Sequence, residues 1–156
     1  MKSLIYTLFA LLLTVLVVSC DKGSEKLGKP GDYGLVDVLV SIKDAENNDL
    51  LNSSNPNNIL SKIELTYENK LYKLDTSPFT FPNPISEIFG LHLYIKESAN
   101  LLWFGYMTFE ETGTRDLKLK YSERVAVISV KYDTTTKKTT FFVNGTEVSG
   151  SIVLVL

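Results

Sequence analysis

The chain contains one cysteine, Cys20, and one histidine, His92, among its 156 residues. A single cysteine cannot form an internal disulfide, and zinc sites made of several cysteine and histidine side chains need more ligands than this chain has. A serine–histidine–acid triad would have to use His92. No glycine-flanked serine typical of a nucleophile elbow accompanies that histidine. We therefore expect a structural or exposed histidine, no catalytic residues and no enzymatic activity.

Glu110 and Glu111 are the only adjacent acidic residues of the chain. Glycoside hydrolysis uses two carboxyl groups at a defined separation across the sugar, whereas neighbours in a strand point to opposite faces of a sheet. Because Thr112 and Gly113 follow this pair, the segment favours a solvated turn. We predict no glycosidase centre here.

Aromatic residues concentrate around Trp103, the only tryptophan of the chain. In a strand through residues 101–109, successive side chains alternate between the two faces of a sheet. One face then carries Leu101, Trp103 and Met107, and the other carries Leu102, Phe104 and Tyr106. Two apolar faces are typical of a central strand, with a core tryptophan between two sheets, or of a sheet with an exposed aromatic platform that would bind sugars. The candidate ligand-binding residues are Trp103, Tyr94, Phe104 and Tyr106.

Six asparagines occur in the polar segment 44–58. Its first residues supply several oxygen ligands close together, as calcium loops do. The segment departs from the EF-hand pattern, because the sixth and twelfth positions hold Asp49 and Asn55 instead of glycine and glutamate. Asparagine and aspartate also form turns without metal, by bonding to the backbone. We expect a turn-forming loop and no cofactor, with calcium as the alternative, bound by Asp44, Glu46, Asn48 and Asp49.

Residues 1–19 are predicted to be a secretion signal peptide that is cleaved. Lys2 is followed by an apolar run at residues 4–18, shorter than the roughly 18 residues that span a bilayer. The run ends in Val17-Val18-Ser19-Cys20, which resembles the lipobox of bacterial lipoproteins. The resemblance implies cleavage before Cys20, a diacylglycerol on its sulfur and an N-acyl chain such as palmitate. It also implies an envelope protein attached to the membrane through its lipid.

The chain after Ser19 has 137 residues (156 minus 19), enough for one domain that buries about two-thirds of its unfolded surface. We predict the lipidated cysteine and a Gly/Lys/Ser-rich flexible tether at residues 20–33, and a single domain at residues 34–156. With Lys2 removed, 15 basic side chains remain against 18 acidic ones. This mildly acidic balance argues against nucleic acid as a partner.

Period-two alternation of apolar and polar residues dominates the chain after Leu35. It recurs in segments 36–42, 63–67, 91–95 and 117–121. Asn69-Lys70 indicates a short turn, and Asn144-Gly145 is the strongest two-residue hairpin signal of the chain. About eight or nine short strands predict an all-β domain. We expect an antiparallel β-sandwich, immunoglobulin-like or related, with a small β-barrel as the alternative.

A lipobox, a polar tether and an all-β domain with an Asn/Asp-rich loop are similar to the small surface lipoproteins of the Bacteroidetes. This resemblance implies an envelope location, most simply the outer membrane, and leaves open which face. We expect a non-catalytic binding or accessory module that captures a glycan or a protein ligand with its loops or the Trp103 strand. The alternative is a structural or scaffold subunit of an envelope assembly that docks through its sheet edges.

Overall fold

The computed structural model describes residues 34–77 and 88–156. The predicted signal peptide, Cys20 and the predicted tether lie outside the described residues. Ten strands and one short 3-10 helix (Leu60–Lys62) form the described part. The strands are β1 (Gly34–Lys43), β2 (Ile63–Tyr67), β3 (Lys70–Asp75), β4 (Ile88–Lys96), β5 (Ala99–Phe109), β6 (Gly113–Tyr121), β7 (Arg124–Asp133), β8 (Lys138–Val143), β9 (Thr146–Val148) and β10 (Ile152–Val155).

Alternation along the strands decides which side chains are buried. In β1, every second residue from Val36 to Ile42 is at most 4% exposed, whereas Leu35 is 57% exposed. The same pattern holds in β2 and in the second half of β6, and it returns in β7 and β10. The inward side chains form one hydrophobic core, and each fully buried Leu, Ile or Val contributes about 1.5–3 kcal/mol. No described residue that is buried is polar or charged.

The strands form a single mixed sheet in the order β10-β1-β5-β4-β3-β2-β6-β7-β8-β9. The sheet curls until it is nearly closed into a barrel. Two pairings are parallel, β1 with β10 and β3 with β4, and the other seven are antiparallel. The β3–β4 pairing consists of Leu74 opposite Leu91 and Asp75 opposite His92. This short parallel contact joins the two halves of the sheet.

The all-β prediction is therefore confirmed, and the barrel alternative fits the observed sheet. The sandwich is not confirmed. Ten strands are present where about eight or nine were expected, and two of the pairings in the expected antiparallel fold are parallel. Sandwiches and barrels both require one apolar face per strand, so the alternation alone does not separate them.

Tight turns connect the antiparallel strands that follow one another in the chain. The Asn144-Gly145 hairpin is confirmed, with φ of 50° and 82° and Val143 paired with Thr146. The turn expected at Asn69-Lys70 lies one residue earlier. Glu68 and Asn69 have positive φ, because Lys70 already pairs with Tyr67 in the ladder.

The long Asn-rich segment between β1 and β2 closes one end of the core. Its apolar residues Leu50, Leu51 and Ile59 are at most 4% exposed. The Leu50 N–H donates to the carbonyl of Ile42 at 3.0 Å, and the Ile59 N–H donates to the carbonyl of Leu50 at 3.1 Å. Because these bonds continue from the end of β1, the segment is an ordered cap of the core.

The two ends of the sheet are β10 and β9. Val153 and Val155 of β10 are 47% and 51% exposed. The Arg124 guanidinium, at the start of β7, donates to the Val155 carbonyl at 2.9 Å. A charged side chain on an edge carbonyl obstructs pairing with another strand, so Arg124 protects the edge of β10.

Asn144 extends the pairing of β7 beyond the last residue of β8. Its N–H donates to the Val127 carbonyl at 2.8 Å, and its Oδ1 accepts the Val127 N–H at 2.9 Å. We expect Asn144→Gly, which keeps the positive φ but removes the acceptor, to lower the free energy of unfolding by about 1 kcal/mol. Asn144→Ala adds backbone strain, and we expect a loss of about 2–3 kcal/mol.

Urea denaturation of both variants measures these losses, with Glu147→Ala, an exposed change in the neighbouring strand β9, as the control. Equal losses for the glycine and alanine variants would show that the positive φ at position 144 does not affect the free energy of unfolding.

Candidate functional site

Strand β5 lies between β1 and β4 and carries apolar residues on both faces. Leu102 and Phe104 point into the core and are completely buried. Trp103 points to the opposite, outward face of the sheet. It is not a member of the hydrophobic core, yet it is only 3% exposed.

A β-bulge in β5 changes the face on which the later residues lie. Asp37 pairs with Tyr106 and Leu39 pairs with Trp103, so β5 has one residue more than β1 between these pairs. Gly105 in this bulge has φ of 111°, a conformation that residues with a side chain rarely adopt. Tyr106 therefore joins Trp103 on the outward face, and Met107 is buried in the core. The expected grouping of Met107 with Trp103, and of Tyr106 with Phe104, is wrong for this reason.

Three rings form what we call the outer aromatic group: Tyr94, Trp103 and Tyr106. The centroids of Tyr94 and Trp103 are 6.3 Å apart with an interplanar angle of 42°. Those of Trp103 and Tyr106 are 5.8 Å apart at 85°, an edge-to-face contact. Both tyrosines are half-buried. Phe104 is separated from this group, because it lies on the core side of β5.

Asp37 of β1 lies beside the outer aromatic group. The Trp103 Nε1–H donates a hydrogen bond to Asp37 Oδ1. Partial burial raises the pKa of the Asp37 carboxyl above its ordinary value, although this hydrogen bond and the charge of Lys96 act in the opposite direction. Asp37 is not among the site residues predicted from the sequence, since outward polar residues are common in alternating strands. Its role depends on which strand lies next to β1.

His92 also faces outward, opposite Trp103 in the neighbouring strand. Its Nδ1 lies 4.0 Å from Asp75 Oδ2, and its side chain is 15% exposed. Gly90 makes room for the ring, because a Cβ at that position would lie 2.6 Å from His92 Nε2. Hydrogen bonds from Ser77 keep the pKa of Asp75 below its ordinary value. A histidine with an acidic partner needs a nucleophile for acyl transfer, and its cross-strand neighbours, Trp103 and Asp75, are neither serine nor cysteine.

The acidic pair Glu110 and Glu111 lies in the turn between β5 and β6, and both residues are exposed. They line an open depression of about 590 Å³ together with Phe109 and Arg115. Arg115 lies over the Phe109 ring at 5.3 Å and donates to the Tyr67 hydroxyl at 2.7 Å. The predicted turn is confirmed at this position.

Two of the calcium candidates, Asp44 and Asp49, already accept hydrogen bonds with their carboxylate oxygens. Asp44 accepts hydrogen bonds from the backbone N–H and the side-chain amide of Asn48, at 2.7 and 2.8 Å. Asp49 accepts the Leu51 N–H at 2.8 Å and the Asn100 amide at 2.6 Å. Glu46 is exposed. Within the described part of the chain, no three His, Cys, Asp or Glu side chains are grouped so that they could hold a metal ion. Calcium binding stays the untested alternative, and the hydrogen bonds explain Asp44 and Asp49 without it.

Comparisons with protein-family models, curated proteins and solved structures found no match for this chain. In residues 34–77 and 88–156, no helix has the length and apolar character needed to cross a membrane.

The raised pKa of Asp37 predicts a pH-dependent contribution to stability. Folding favours its protonated form, so this contribution is complete below the ordinary value of 3.8 and is lost as the pH rises through the folded pKa. Asp37→Asn keeps an oxygen that accepts from Trp103 but does not ionise. We expect the variant to gain stability relative to the wild type as the pH rises from about 3 to about 7.

Urea denaturation at several pH values measures this difference. Asp133→Asn is the matched control, and its stability should change with pH in the opposite direction. The reason is that N–H donors from Thr135 and Thr136 lower the pKa of Asp133. The stability that Asp133 contributes is present above its ordinary pKa and is lost as the pH falls. A pH-independent difference between Asp37→Asn and the wild type would contradict the assignment.

Proposed function

We propose that this chain is a lipid-anchored envelope protein whose domain is a non-catalytic binding or accessory module for a glycan or a protein ligand. The lipobox-like residues ending at Cys20 support the anchor. The outer aromatic group supports the binding role, because these three rings lie on the outward face of the sheet and are not part of the core.

The outward position of the aromatic rings carries the proposal. A stable fold requires apolar rings inside the core, and Phe104 meets that need on the inward face of β5. The outward rings require a separate explanation, and aromatic residues with polar tips are enriched at binding surfaces. Since Trp103 is 3% exposed, a ligand would contact the tyrosines and Asp37, while Trp103 supports them from below.

The open sheet favours a second candidate, a scaffold subunit that docks through its edges. The sheet ends at β9 and β10, and an unpaired edge can accept a strand from another protein. Arg124 obstructs β10, so β9 is the edge on which this candidate depends. Its three residues (Thr146–Val148) offer a short ladder.

The anchor is tested by metabolic labelling of the full-length chain with a palmitate analogue in a Gram-negative host. We expect the wild type to incorporate the label and to fractionate with the membranes, since several acyl chains on one residue give durable attachment. Cys20→Ser removes the acceptor sulfur and should abolish both. Asp21→Asn is the neighbouring control and should keep the label. A labelled Cys20→Ser chain would refute lipidation at this residue.

The binding role is tested with the emission of Trp103 as an internal reporter, in the full-length chain in neutral detergent micelles. Envelope polysaccharides and envelope protein fractions are titrated in turn. We expect one of them to shift the emission, and Tyr94→Ala or Tyr106→Ala to weaken its binding by about tenfold. Phe142→Ala, a half-buried aromatic on the distant strand β8, should leave the affinity unchanged.

Equal weakening by Phe142→Ala would place the ligand elsewhere. A constitutive complex that survives both tyrosine changes and is lost on truncation of β9 would favour the scaffold.

A further inference from the structure

A carboxylate lies beside the outer aromatic group. Asp37 is paired with Tyr106 across the strands and accepts the Trp103 Nε1–H. A carboxylate can accept about four hydrogen bonds, so the bonds from the Trp103 indole and the Val38 backbone leave capacity for another donor. Asp37 is exposed as a residue, which makes this capacity accessible from outside.

The rings around that carboxylate suit a cation. Trp103 and Tyr106 meet at 85° and Tyr94 is inclined to Trp103 at 42°, so the rings do not form one flat platform of the kind that stacks on a sugar. A cation within about 6 Å of an aromatic centroid is attracted by the ring face. Aromatic rings that meet at an angle, with an acid at their edge, combine this attraction with an ion pair.

A cation of the chain already interacts with this acid. The charge of Lys96, at the end of β4, acts on Asp37 and favours its ionised form. Asp75 of β3 is another charged residue on this face, and its Oδ2 lies 4.0 Å from His92 Nδ1. Lys96 is exposed and can move away, so it is a competitor for an incoming cation.

The position of the outer aromatic group on the outward face of a sheet favours a protein partner over a small molecule. Small-molecule sites are concave and bury most of their ligand, whereas the outer aromatic group lies on the face of a sheet. Tryptophan, tyrosine and arginine dominate the energetics of protein interfaces, where they pair with complementary groups. Here the aromatic and acidic groups are present, and an incoming basic side chain would displace Lys96 from the acid.

We infer that Asp37 and the outer aromatic group bind a lysine or arginine side chain presented by a partner protein. This inference rests on the proposed binding function and names the ligand chemistry of the same site. The charge complementarity between Asp37 and a basic side chain carries it. An amino sugar presents a similar ammonium group and is distinguished by the test.

The test uses the full-length chain in neutral detergent micelles, with Trp103 emission as the readout. The probes are a pentapeptide Gly-Lys-Gly-Lys-Gly, the same peptide with both lysines acetylated, a glucosamine oligomer and its N-acetylated form. We expect the unmodified peptide to bind at least about tenfold more tightly than the acetylated peptide. Asp37→Asn should remove that preference, and Lys96→Gln should strengthen binding of the unmodified peptide. Asp133→Asn controls for the overall charge. It should change neither the preference for the unmodified peptide nor the affinity for it.

Equal affinity for the two peptides, or a preference that survives Asp37→Asn, would overturn the inference. Binding of the glucosamine oligomer without the lysine peptide would overturn the choice of a protein partner. Binding of neutral glycans alone, weakened by Tyr94→Ala, would overturn the basic-ligand inference and leave the proposed function intact. If no probe binds, and Tyr94→Ala and Tyr106→Ala bind every envelope fraction as the wild type does, the inference is wrong. The proposed binding site on the outward face is then wrong as well.

Discussion

Strand β5 is the element on which both the fold and the site depend, because it has to satisfy two environments at once. Its inward residues contribute Leu102, Phe104 and Met107 to the core, and its outward residues carry Trp103 and Tyr106. A regular strand cannot place these five residues on those faces, since alternation would send Met107 outward with Trp103. The bulge at Gly105 resolves the conflict.

Burial of apolar side chains is the main contribution to the stability of the described domain, since its residues include no cysteine that could form a disulfide. The sheet contributes most of the core, and the Asn-rich cap contributes Leu50, Leu51 and Ile59. In the cap, asparagine and aspartate side chains bond to nearby backbone groups, which replaces the strand ladder that a loop lacks. The polar composition of this segment therefore has a structural explanation.

The outward face of β1, β5 and β4 combines aromatic rings with a partly buried acid. The indole N–H bond to Asp37 ties β5 to β1 on the outside, and the His92–Asp75 contact does the same between β4 and β3. Both contacts join side chains of paired strands, so the sheet holds these side chains in position. A rigid surface with aromatic and acidic groups is suited to recognition, because little conformational entropy is lost on binding.

The amino-acid sequence by itself determined the all-β class, the inward face of most strands and the Asn144-Gly145 hairpin, because these depend on alternation and on backbone preferences of a few residues. It also indicated Trp103 and its neighbours as the main aromatic cluster. It did not determine the closure of the sheet, the parallel β1–β10 and β3–β4 pairings, or the partners Asp37 and Asp75. These depend on which strands become neighbours, and strands far apart in the chain carry the same alternating pattern. Only the tertiary structure decided that Trp103 faces outward while buried and that Tyr106 joins it, because one extra residue at the bulge exchanges the two faces of the strand.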